Sequence, residues 1–165
     1  MIDTKFCKAI QQAENIDGII EEANCQAIKF DDSDGFVKSL SSNVNECRVD
    51  YFEIIENGLI LIELKDIKGK ISHLLRKKEK TKEEIQKSVL SNIEKKFTDS
   101  LTIIRQTIDS SLIPVTNYLV VANNTESNLL DKYLPENLKK KPFVICETDE
   151  ICEKLSTLNT RLCQE

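Results

Sequence analysis

Glycine and proline are scarce, with four and three among 165 residues. An all-β sandwich needs many turns, so this shortage argues against one and favours a mixed α/β chain. No apolar run approaches the roughly 18 residues that a membrane-spanning helix requires. The N-terminal stretch MIDTKFCKAIQQ lacks the uninterrupted apolar core of a signal peptide, so a cytoplasmic location is expected. Histidine occurs once, as His73, expected at the surface, and no two cysteines form a CxxC pair. The shortage of paired ligands argues against a zinc site. The six cysteines, Cys7, Cys25, Cys47, Cys146, Cys152 and Cys163, are expected as free thiols, mostly small and buried, in a reducing compartment.

What is present suffices for a folded domain. Hydrophobic residues make up 40% of the chain, too many for intrinsic disorder and enough for a core. No repeat or flexible linker interrupts residues 1–165, so a single α/β domain is expected. The net charge is −5, but it is unevenly spread. From Lys65 to Lys96 the chain carries +6, and the remainder carries −11. Such a basic stripe can steer a polyanion even on an acidic protein, although a charge-rich solvated helix reads the same way.

Apolar spacing at Phe6, Ala9, Ile10 and Ala13 predicts a helix over 3–14, with a second short helix over 17–24 and a strand at 26–30. Residues 66–80 read as a basic connection with a turn at Gly69. A long helix follows, opened by a Thr81–Glu84 capping box and striped by Ile85, Val89, Ile93, Phe97, Leu101, Ile104 and Ile108. NYLVVA (117–122) and PFVIC (142–146) read as buried strands, and a last amphipathic helix is predicted over 149–162.

The segment CRVDYFEIIENGLILIELK, residues 47–65, carries the clearest signal. Two β-rich runs flank Asn57-Gly58, the pair favoured in two-residue type I′ hairpins. With that loop, paired positions sum to 115, which sets Asp50 opposite Lys65 and Phe52 opposite Glu63 on one face. Paired Cβ atoms lie roughly 4.5–5.5 Å apart and diagonal ones roughly 7–8 Å, so Asp50 and Glu63 can converge on one cation. Tyr51 and Glu53 fall on the other face. Glu63 and Lys65 end an otherwise apolar strand, and burying such charges is costly without partners or a ligand.

Asp50, twelve residues, then Glu63-Leu64-Lys65 resembles the signature of the PD-(D/E)XK nuclease superfamily. The layout around it, across roughly 17–147, is similar too. Val49 stands where the motif name has proline. The resemblance implies a restriction-endonuclease-like mixed central sheet flanked by helices, and a metal-dependent nuclease acting on DNA rather than RNA. It makes Asp50, Glu63 and Lys65 catalytic. It also implies a further acidic ligand from the first helix, Glu22 or Glu21, and an auxiliary glutamine from the crossover helix, Gln86.

The residue types suit this chemistry. Mg²⁺ or Mn²⁺ prefers carboxylate oxygens and keeps several waters. Asp50 and Glu63, with Glu22, would hold the ion, and Lys65 would stabilise charge on the phosphate or help to deprotonate a water. Lys68, Lys70, Arg76, Lys77 and Lys78 would contact the phosphate backbone. A short chain that cuts both strands of a duplex is expected to act as a homodimer. Two alternatives stand beside this: a catalytically silent protein-binding member of the same fold, such as an immunity or assembly protein, and a purely structural Asp50–Lys65 ion pair.

Overall fold

Five apolar residues in a row, Gly58 to Ile62, open the strand Gly58–Lys65, which is buried from its first residue to Leu64. This strand (β4) lies inside a six-stranded sheet in the computed structural model, which describes residues 2–40, 47–56, 58–77, 80–158 and 160–164. The strands are β1 (Cys7–Gln11), β2 (Glu22–Lys29), β3 (Tyr51–Ile55), β4, β5 (Pro114–Val121) and β6 (Phe143–Glu147), and they neighbour one another in chain order. β1 to β4 form an antiparallel meander, while β5 and β6 add in parallel to β4. Parallel addition requires crossovers. The long helix α2 (Lys82–Thr107) supplies the first, and α3 (Ser127–Tyr133) lies in the second. No helix among the described residues is long and apolar enough to cross a membrane.

The sheet is covered on both faces. On one, Phe52, Leu59, Leu61, Leu119 and Val121 pack with Ile67, Ile71 and Leu74 of α1 (Ile67–Arg76) and Ile85, Val89, Ile93 and Phe97 of α2. On the other, Tyr51, Ile60, Ile62, Tyr118 and Val120 pack with Ile151 and Leu155 of α4 (Ile151–Ser156). This two-sided burial explains why β4 is apolar up to Glu63. The α2 cap is formed as expected, with Thr81 accepting the Glu84 N–H at 3.1 Å.

Several expectations are corrected. Residues 3–14 are not a helix: a single 3₁₀ turn at Thr4–Phe6 leads into β1. Phe6 joins the α2-side core and Ile10 the α4-side core, an arrangement one helical stripe cannot make. Residues 17–24 are not a helix either; a turn at Gly18 leads into β2, whose Ala27 and Ile28 alternate between the two cores. The basic connection after Lys65 is α1, whose cap Asp66 accepts the Gly69 N–H. A Cβ on Gly69 would sit 2.4 Å from Asp66 Oδ2, so glycine lets the cap close. The last helix stops at Ser156, six residues short of the expected end.

The cysteines also differ from expectation. Cys7 is bonded to Cys163 and Cys25 to Cys152, with Cα separations of 5.6 Å in each pair, leaving Cys47 and Cys146 as thiols. The bonds tie the first two strands to α4 and the C-terminal tail. Glu53 completes this fastening: its buried carboxylate accepts the N–H groups of Leu162 and Cys163, with Arg161 3.9 Å away. Burial raises its pKa to about 7, against the pull of Arg161 and the two N–H groups.

Candidate metal centre

The hairpin of β3 and β4 is real, but its register differs from the expected one. Ile55 pairs with Gly58 and Tyr51 with Ile62, so paired positions sum to 113 rather than 115. Asn57, expected in the loop, lies outside the described residues. Gly58 is a strand residue with φ of 148°, and a Cβ there would meet the Ile113 carbonyl oxygen at 2.3 Å. The same carbonyl accepts the Leu59 N–H at 2.9 Å. Glycine therefore serves the approach of the α2–β5 connection to the hairpin as much as the bend itself. Phe52 faces Leu61, not Glu63. Continuing the register by one pair sets Asp50 against Glu63, not Lys65. Because side chains alternate with period two, a slip of two residues in the pair sum leaves Asp50, Glu63 and Lys65 on the same face.

Asp50 precedes β3 and is anchored from three directions. Its carbonyl accepts the Phe30 N–H at 2.8 Å, and its Oδ2 accepts the Leu64 N–H at 2.9 Å. Just upstream, α2 grips the backbone: Ser100 Oγ accepts from Val49 N at 2.8 Å and Asp99 from Cys47 N at 3.1 Å. Arg48 reaches Asp31 at 3.0 Å. Asp50 is thus fixed beside the carboxyl end of β4.

Glu63 is 1% exposed at its side chain. One oxygen, Oε1, is 2.5 Å from Lys96 Nζ of α2. The other, Oε2, is buried and has no hydrogen-bond partner among the described residues. Burial, then the neighbouring Asp50 charge, push the Glu63 pKa up to about 8, while Lys96 and Lys65 oppose the shift. Burial raises Asp50 as well, against the Leu64 N–H and Lys96. Burial pulls Lys96 down, but Glu63 and Asp50 outweigh it and its pKa ends above the usual lysine value. Lys70 of α1 is lowered by burial and then by the charges of Lys65 and Lys96. Lys65 and Lys70 have no carboxylate within 4.0 Å among the described residues.

The other expected residues lie elsewhere. Among the described residues, only short 3₁₀ turns and no α-helix precede the hairpin. Glu22 is an exposed residue at the start of β2, paired with Gln11. Glu21 is engaged with the loops after β5 and β6, its Oε1 accepting from Asn123 N at 2.9 Å and Thr148 Oγ1 at 2.8 Å. Gln86 donates to the Lys132 carbonyl at 3.0 Å. It precedes Lys96 by ten helical residues, about 15 Å along the axis. Lys68, Arg76 and Lys77 are exposed on or just after α1, and Lys78 lies outside the described residues. His73 is exposed, as expected.

The sequence carries a signal for Lys96 that the hairpin motif does not include. Val89, Ile93, Lys96 and Ser100 follow one another at helical i+4, i+3 and i+4 steps, so the lysine interrupts the apolar stripe that α2 turns to the sheet. A cation at such a position implies a buried anion opposite it.

The donor set fits a hard divalent cation. Two carboxylates, one with an unsatisfied buried oxygen, match the way Mg²⁺ is held by one or two protein carboxylates with the remaining positions left to water and substrate. Among the described residues, no three His, Cys, Asp or Glu side chains converge as ligands. Glu22 is therefore not part of a preformed triad. No family model, curated protein or solved structure matches this chain.

Proposed function

We propose that the protein is a metal-dependent nuclease with a restriction-endonuclease-like sheet, hydrolysing phosphodiester bonds in DNA rather than RNA. The observation that carries this reading is the seat of Asp50, just before β3 with its Oδ2 on the Leu64 N–H, next to Glu63, whose Oε2 is buried and has no hydrogen-bond partner among the described residues. An orphaned carboxylate oxygen costs stability unless a ligand compensates for it. Asp50 and Glu63 would hold Mg²⁺ or Mn²⁺, which supplies a polarised phosphate oxygen and a bound water of lowered pKa. The Leu64 N–H holds one Asp50 oxygen in place and leaves the other carboxylate oxygen for a ligand. Lys65, with no ion pair among the described residues, would face the charge that develops on the phosphate. Lys70 sits at the same end of the sheet, and Lys68, Arg76 and Lys77 extend the cationic track along α1, where they would contact neighbouring phosphates. A homodimer would place two such sites on the two strands of a duplex.

The second reading, a silent protein-binding chain of the same fold, draws on the Lys96–Glu63 contact, since an ammonium group already neutralises the acid that would bind metal. A Mn²⁺-dependent assay on plasmid, linear and single-stranded DNA and on RNA separates the two. The nuclease reading requires cleavage that Glu63→Ala and Lys65→Ala abolish. A silent binder leaves every substrate intact, and its partner affinity survives both changes. As to location, the two disulfides weigh against the reducing cytoplasm expected from the sequence and favour an oxidising compartment.

A further inference from the structure

We infer that Lys96 is a built-in competitor for the cation site: its ammonium group and a divalent ion cannot both neutralise Glu63, so metal entry releases Lys96 toward the substrate. This inference rests on the proposed metal centre and adds a regulatory element to it. Three observations carry it. Lys96 Nζ lies 2.5 Å from Glu63 Oε1, inside hydrogen-bond range, while Oε2 of the same carboxylate has no partner among the described residues. The Lys96 side chain is 23% exposed against 1% for Glu63, so the lysine reaches in from the solvent edge and has room to withdraw. The alternative counter-ions are set apart from this role, because Asp99 is held by Lys95 at 2.7 Å and Asp31 by Arg48 at 3.0 Å.

Two cations beside one carboxylate repel each other, and in a partly buried site that repulsion is substantial. A divalent ion bound to Glu63 therefore displaces the ammonium group. Once displaced, Lys96 is a free cation next to Lys65 and Lys70, and a phosphate placed there would recover the lost pairing. Metal and phosphate then bind with positive coupling, because each removes a cost that the other would meet alone. The site would be weak for metal without nucleic acid and tighter with it.

The test is Ca²⁺ binding by isothermal titration at pH 9.5, well above the Glu63 pKa of about 8, so that a proton does not take the place of Lys96 in the variants, with no turnover required. Lys96→Met should bind Ca²⁺ about tenfold more tightly than the native protein, the order expected for removing one unit charge a few ångströms from the ion. Lys96→Arg, which keeps the charge, should bind as the native protein does. Adding a phosphorothioate duplex should tighten Ca²⁺ binding to the native protein and leave Lys96→Met unchanged. Should Lys96→Met not fold, as judged by circular dichroism, Lys96→Gln retains a donor to Glu63 without the charge and carries the same comparison. Equal affinities for the native protein and the neutral variants, with both still dependent on Glu63, overturn the competitor role and leave the metal centre standing. Ca²⁺ binding to none of them overturns both.

Discussion

Asp50 accepts, at 2.9 Å, the N–H of Leu64, the residue between Glu63 and Lys65. One carboxylate oxygen thus holds the Glu-Leu-Lys segment in register against the start of β3. Asp50→Asn can keep an acceptor for Leu64, whereas Asp50→Ala leaves that N–H unpaired. Urea unfolding should show Asp50→Ala less stable than Asp50→Asn by about 1–2 kcal/mol. Both should abolish Mn²⁺-dependent cleavage equally. An Asp50→Asn protein that retains activity would remove Asp50 from the metal centre.

Lys96 neutralises a carboxylate that is almost wholly buried. Lys96→Met should therefore cost about 3 kcal/mol, because it leaves an unpaired buried acid. Adding Glu63→Gln should restore most of that loss. A double-mutant cycle by chemical denaturation measures the coupling, and additive losses would show that the two side chains do not act as a pair.

Glu53 gives the tail a pH dependence. Its folded-state pKa is raised by burial to about 7, above the ordinary 4.5 of an unfolded glutamate. The folded state therefore holds the extra proton between those values. Its contribution is fully present below about 4.5 and is lost as pH rises through about 7. Arg161 and the Leu162 and Cys163 N–H groups face this carboxylate and moderate the loss. Stability measured from pH 5 to 8 should fall more steeply for the native protein than for Glu53→Gln. Parallel profiles would exclude Glu53 as the titrating group.

The disulfides make a chemical prediction. Denatured without reductant, the chain should expose two titratable thiols, Cys47 and Cys146, and six after reduction. Peptide mapping should recover Cys7 with Cys163 and Cys25 with Cys152. These bonds close long loops, with sequence separations of 156 and 127 residues. Reduction should lower stability by about 4 kcal/mol or more. Six reactive thiols in the unreduced protein would restore the free-thiol expectation.

Particular residues show which parts of this fold were legible from sequence. α2 was readable because Thr81 caps it and its apolar residues recur through seven turns, a signal too long for a strand to mimic. β4, β5 and β6 were readable as short apolar runs. β1 was not: Phe6 and Ile10 sit four apart as on a helix, yet they serve opposite faces of a sheet. The disulfides were hidden because each joins residues more than a hundred positions apart, with no local spacing to mark them. The Gly58–Ile113 approach beside the hairpin is a tertiary contact that no local turn rule contains. The grouping of Asp50, Glu63 and Lys65 survived because a two-residue change in the pair sum preserves the face. Lys96 comes from a helix more than thirty residues downstream, so no reading confined to the hairpin could find it.

The central claim is that Asp50 and Glu63 share a hard cation. Crystals soaked in Mn²⁺ and measured at a wavelength where manganese scatters anomalously test it most directly. A single strong anomalous peak between the two carboxylates, absent in Glu63→Gln crystals, is the predicted result. Saturating Mn²⁺ with no peak there, and Lys96 still seated on Glu63, would contradict the account.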